Sequence, residues 1–136
     1  MGKIENSKMI IKYISNYRDG TGWAKASTFN MLALSHAGHK VVPEIVKYNK
    51  LDYVFHSNIL ELENNKSDKF DAVINHVLPI NYNYNSVNNI NYGCIELESN
   101  TLENLFWIKN IKMMDSMLVP NKASQNCLKK YGISSK

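Results

Sequence analysis

Three runs constrain this chain most: "KMIIKYIS" (8–15), "FDAVINHVL" (70–78) and "INYGCIELE" (90–98). Each is apolar on consecutive positions rather than on alternate ones. A strand exposed on one face alternates, whereas a strand covered on both faces does not. Between them lie segments with the three-to-four spacing of helices. From Trp23, the residues Ala26, Phe29, Ala33 and Ala37 recur at that spacing with Leu32 beside them, which predicts an amphipathic helix carrying them on its apolar face. Asp19 or Thr21 can cap its start, and Gly38 suits the position after its last turn.

The rest of the chain extends the alternation. "KVVPEIVKY" (40–48) reads as a second strand, confined by Pro43 to an edge or a bulge. "DYVFHSNI" (52–59) is a short further element, and "NNKSDK" (64–69) is a polar loop. Pro79 stops the strand at 70–78, and "INYNYNSVNN" (80–89) reads as a mobile polar loop. Leu102 to Met114 is expected as a helix, "SMLVP" (116–120) as a buried strand, and 121–132 as a closing helix with Asn121 as its cap and Gly132 as its stop. Strands alternating with helices predict an α/β fold: a Rossmann-like, doubly wound, mostly parallel sheet forming one domain over residues 1–136. Ligands of such sheets bind at the carboxyl ends of the strands. Tyr17 to Gly22, His76 to Pro79 and Glu96 to Thr101 all fall there. The strands that end at Gly22, His76 and Glu98 are expected to lie side by side.

Composition narrows the function. The net charge of +4 comes from scattered lysines and a single arginine, Arg18. Nucleic-acid binding calls for a concentrated basic stripe, and none is present. Cys94 and Cys127 have no metal-ligand spacing and read as small buried groups in a reducing compartment. No run is apolar for long enough to span a bilayer. A cytoplasmic protein is expected, with peripheral attachment to a membrane left open.

The candidate chemistry is concentrated at the strand ends. Gly20-Thr21-Gly22 lets backbone N–H groups approach an anion at a helix start, and Arg18 could add a fork of donors to a diphosphate. Lys25 stands where the third glycine of a dinucleotide loop would be, and no P-loop follows. A tight turn with a surface arginine fits the same residues. His76 can hydrogen-bond a sugar hydroxyl or move a proton, or be a neutral ring bonded to nearby groups. Glu96 and Glu98 share a face if their strand continues, and Trp107 reads as core. His36 and His39 flank a helix end, and neither has metal-ligand spacing with His56 or His76.

Two stretches resemble a known family. "GHKVV" (38–42) is similar to the "GHxV" entry to the second strand in many nucleotide-sugar glycosyltransferases of the GT-B fold. "ELESNTLENLFWIKNIKMMDSMLVPNKASQNCLKKYGI" (96–133) resembles the hallmark of the group 1, retaining members. Glu98, Leu102, Trp107, Asn110, Asp115, Val119-Pro120 and Gly132-Ile133 fill that pattern in order. Asn121 replaces the usual serine, and either residue caps a helix. "DAVINHVLP" (71–79) resembles the strand and loop before this block. The resemblance implies the N-terminal, acceptor-side domain of an enzyme that transfers a sugar from a nucleotide diphosphate sugar. It implies that Gly20, Thr21, Gly22 and Trp23 face the interdomain cleft with Arg18, that His76 is a cleft residue, and that Glu98 belongs to the family signature. No cofactor or metal is expected, because helix termini and basic side chains can stabilise the departing diphosphate. The expected partners are a sugar acceptor, the nucleotide sugar, and either a separate C-terminal half or a second copy of the chain. The family's donor-binding domain would begin where these residues stop, so a truncated or split enzyme, inactive alone, is expected. The alternatives are a stand-alone Rossmann-like nucleotide or small-ligand module, and a non-catalytic interaction protein.

Overall fold

A computed structural model of the chain describes residues 8–85, 89–95, 105–133 and 135. Five strands form one sheet: β1 (Ile10–Ser15), β2 (Lys40–Ile45), β3 (Ala72–His76), β4 (Ile90–Cys94) and β5 (Ser116–Leu118). The helices are α1 (Gly22–His36), α2 (Asn58–Leu62), α3 (Leu105–Met113) and α4 (Lys122–Lys130), with a 3-10 turn at Pro79–Asn81. Every pairing is parallel and the order is β2-β1-β3-β4-β5. Pro43 lies on β2, an edge strand of this order, where its missing N–H costs no central ladder bond. Among the described residues no helix is long and apolar enough to cross a membrane.

The register explains the consecutive apolar positions. Ile11, Tyr13, Val41, Ala72 and Ile74 point to one face and form a core with Met31 of α1 and Ile59 and Leu62 of α2. Ile14 and Val73 point to the other face, beneath Phe70 and Tyr82. Further along that second face Met117 packs with Ile111 of α3 and with Cys127 and Leu128 of α4. All five residues of β3 are buried. Helices thus cover both faces, as a doubly wound α/β sheet requires.

Helix α1 departs from the expected amphipathic pattern. Its buried residues are Ala24, Ser27, Thr28 and Met31, whereas Ala26, Ala33 and Ala37 are exposed and Phe29 is 48% exposed. The helix is turned so that small polar residues meet the sheet. Their hydroxyls are satisfied locally, Thr28 Oγ1 donating to the Ala24 carbonyl at 2.8 Å and Ser27 Oγ lying 3.0 Å from His76 Nδ1.

The stretch expected as a mobile loop is, as far as Asn85, a strap pinned to the second face. Asn75 Oδ1 accepts from Asn83 N at 2.9 Å, and its Nδ2 donates to the Asn83 carbonyl at 3.3 Å. Asn91 repeats the pair with Asn85, at 2.9 and 2.7 Å. Both amides are fully buried, so each side chain serves as one rung of a missing strand. Between the rungs Tyr82 lies on Gly93, where a Cβ would come within 2.7 Å of its ring and 2.6 Å of Met117 Sδ. Only glycine allows that approach.

Candidate functional site

The chain passes from β1 outward to β2, then returns to the other side of β1 to form β3. Connections leave β1 and β3 in opposite directions, so a crevice opens beyond their carboxyl ends. The residues there are the loop from Asn16 to Thr21 and the tip of β3 at His76.

The loop supplies its own anion. Asp19, 4% exposed, accepts from Thr21 N at 3.1 Å and from Thr21 Oγ1 at 2.6 Å through Oδ1, and from Asn16 Nδ2 at 2.6 Å through Oδ2. Thr21 Oγ1 in turn caps α1 by accepting from Ala24 N at 3.1 Å. Gly20 has φ +77°, a conformation that favours glycine, while a Cβ at Gly22 would meet nothing within 4 Å. Arg18 is engaged as well. Its Nε donates to Asp52 at 2.6 Å and its Nη1 to both oxygens of Glu63 at 2.8 and 2.9 Å. Tyr17 donates to the same Glu63 at 2.6 Å. The hydrogen bonds to Asp52 and Glu63 hold the Arg18 pKa above its ordinary value. Arg18 and the Thr21 amide, two of the donors expected to face a diphosphate, therefore meet carboxylates of this chain in this arrangement.

His76 closes the other side. Tyr13 Oη lies 2.7 Å from its Nδ1, and Asn30 Nδ2 donates to Tyr13 Oη at 3.2 Å. Nδ1 faces two hydroxyls, Tyr13 Oη and, at 3.0 Å, Ser27 Oγ; as both can donate, we assign Nδ1 as the acceptor and the imidazole proton to Nε2. No hydrogen bond ties Nε2 among the described residues. Burial pushes the His76 pKa down from 6.5 to about 4, so the ring is neutral at physiological pH and a weak base. The arrangement suits hydrogen bonding to a ligand rather than proton abstraction. The Trp23 ring stands 5.9 Å from the imidazole, centroid to centroid.

From His76 a cavity of about 530 Å³ runs along the first face of the sheet. Ala26, Asn30, Ala33 and Leu34 of α1 make one wall, and Ile74 lies on the floor. Cys94, Ile95 and Leu118 to Pro120 complete it. Its size falls in the range of small-molecule sites. Burial pushes the Cys94 thiol up to about 11, so it is a thiol and not a thiolate near neutral pH.

Among the residues expected at a site, the structure gathers Arg18, Gly20, Thr21, Gly22 and Trp23 into one loop and helix start, and brings Trp23 to His76. Arg18 turns away toward Glu63, beside α2. Glu96 and Glu98 lie outside the described residues, though β1, β3 and β4 are adjacent as expected. Trp107 packs against the core of α3 and α4. Among the described residues no three His, Cys, Asp or Glu side chains group as metal ligands. Tyr13, Ser27 and Asn30 were not legible as site residues. The one hint was the adjacent pair Ser27 and Thr28 within a helix whose period is set by alanines. No protein-family model, no curated protein and no solved structure matches this chain.

Proposed function

We propose that this chain is the acceptor-side domain of a GT-B glycosyltransferase of the retaining, group 1 type, which transfers a sugar from a nucleotide diphosphate sugar to an acceptor. One observation carries the reading: a neutral histidine stands at the carboxyl tip of β3, at the switch point of a parallel sheet, beside a tryptophan and an open cavity. That is a place for an uncharged hydroxyl-bearing ligand. His76 Nε2–H orients the hydroxyl, and Trp23 offers a flat apolar face to a sugar ring. The ordered run from Glu98 to Ile133 supports the same reading. The donor diphosphate is held chiefly by a second domain, because Asp19, Asp52 and Glu63 already engage the donors of the first loop.

The test is titration of the 136-residue protein carrying Trp107→Phe, so that Trp23 is its one tryptophan and its fluorescence is followed, with methyl β-glucoside, a panel of nucleoside diphosphate sugars, and mononucleotides. We expect weak, millimolar-range binding of the uncharged glycoside, no stronger binding of the nucleotides, and no sugar transfer. Micromolar binding of a mononucleotide would instead favour a stand-alone nucleotide module. Sustained turnover by this chain alone would also overturn the reading.

A further inference from the structure

The cavity beside His76 has a chemistry that the sugar-transfer reading leaves unused. None of the described residues that line it is charged. Its polar groups are not dispersed but joined, Asn30 to Tyr13 to His76, at one place. The remaining surface is aliphatic or thiol: alanines 26 and 33, Leu34, Ile74, Cys94 and Leu118. Cys94 and Leu118 are partners in the β4–β5 register and stand on the sheet face where α1 packs mainly over β2 and β1. A ligand matching this surface has one hydrogen-bonding head and an apolar body. A carboxylate or phosphate head would find no cation among the described residues that line the cavity. A free sugar would leave most of its hydroxyls against aliphatic carbon without partners.

We infer that this cavity binds an uncharged, aliphatic alcohol, its hydroxyl at His76 Nε2 and its chain along the groove between α1 and the β4–β5 face. The inference rests on the acceptor-side reading and names the acceptor class: a lipid-like alcohol, held more tightly than the free glycoside, whose binding stays in the millimolar range. The hydroxyl oxygen accepts from Nε2–H, and the chain displaces water from Ala33, Leu34 and Leu118.

The experiment is an amide NMR titration of the whole 136-residue protein with decan-1-ol, with decanoate, and with methyl β-glucoside. Decanol is expected to shift the amides of Ala26, Ala33 and Leu118 together with the His76 ring signals, and decanoate to leave them in place. Ala33→Phe fills the cavity from an exposed helix position, so folding is retained, and it is expected to weaken decanol binding by about tenfold or more. Unchanged decanol affinity in Ala33→Phe overturns the inference. Equal shifts with decanoate overturn it too. Shifts at His76 with the glucoside alone overturn the lipid-like acceptor and leave the sugar reading standing. No response at His76 to either neutral ligand overturns both. Concentration-dependent shifts of these three amides without ligand would mean that a second copy fills the groove, and would also overturn it.

Discussion

At the scale of single residues, His76 couples folding to pH. The unfolded ring takes its proton near 6.5 and the folded ring near 4, because burial disfavours the imidazolium. Between those values the unfolded state binds more protons. Stability is therefore full above pH 6.5, falls as pH drops through this window, and levels off below about 4. A shift of this size corresponds to a loss of about 2–3 kcal/mol by pH 4.5. His76→Gln keeps a hydrogen-bonding side chain without the titration. Urea unfolding at pH 7.5 and 4.5 should show the wild type losing about 2–3 kcal/mol more than the variant across that interval. Equal losses would mean that the ring is not desolvated. The position of His76 could be read from the chain, since it is the last polar residue before Pro79 ends the strand. Its partners could not: Tyr13 looked like one more aromatic in an apolar strand, and Asn30 like a solvated helix residue. Arg18 was legible as a donor, but not that Asp52 and Glu63, 34 and 45 positions away, would reach it.

At the scale of elements, the alternation of strands and helices followed from periodicity, and the two misread stretches share a cause. Both α1 and the strap from Tyr82 to Asn85 use polar residues where a core is usually apolar. In α1 the alanines at 26, 33 and 37 set a helical period, yet Ser27 and Thr28 on a different side meet the sheet. Periodicity identifies the element but not its rotation when two sides carry small residues. In the strap, Asn75 and Asn91 replace a neighbouring strand's backbone with side-chain amides, and asparagine composition by itself reads as loop. This device gives a local prediction. Asn91→Ala removes the two hydrogen bonds that its side chain makes to the Asn85 backbone, and each bond of this kind contributes about 0.5–1.5 kcal/mol. The Asn85 amide should exchange with solvent roughly tenfold faster or more in the variant, while β1 amides keep their protection. Measured by hydrogen exchange, an unchanged rate at Asn85 would show that the Asn91 rung does not hold the strap.

At the scale of the whole molecule, the fold class was the most legible level. Strands apolar on consecutive positions must be covered on both faces, and the five-stranded parallel sheet is so covered. The order of the strands was less accessible, because it depends on which way each connection runs. The same order gathers the carboxyl ends of β1, β2 and β3 into one rim, and the segments beyond it expose several large apolar side chains. Leu51 is 60% exposed, Ile80 56% and Tyr53 54%. They are held in common rather than scattered. Tyr48 Oη accepts from Leu78 N at 3.0 Å and donates to Asn81 at 2.8 Å, while Tyr53 N donates to the Arg18 carbonyl at 2.8 Å. Leu51 lies against Gly20. Large apolar side chains left exposed at one end of the sheet offer a contact surface. In the acceptor-side reading this rim faces a second domain, so in the 136-residue protein it should meet a second copy. We expect concentration-dependent association by sedimentation velocity, removed by Leu51→Glu with Ile80→Glu. Both side chains are exposed, so the double variant should unfold within about 0.5 kcal/mol of the wild type. A wild type that stays monomeric at every concentration would overturn the rim as a contact surface. So would a double variant that associates as strongly, since the contact would then lie elsewhere on the molecule.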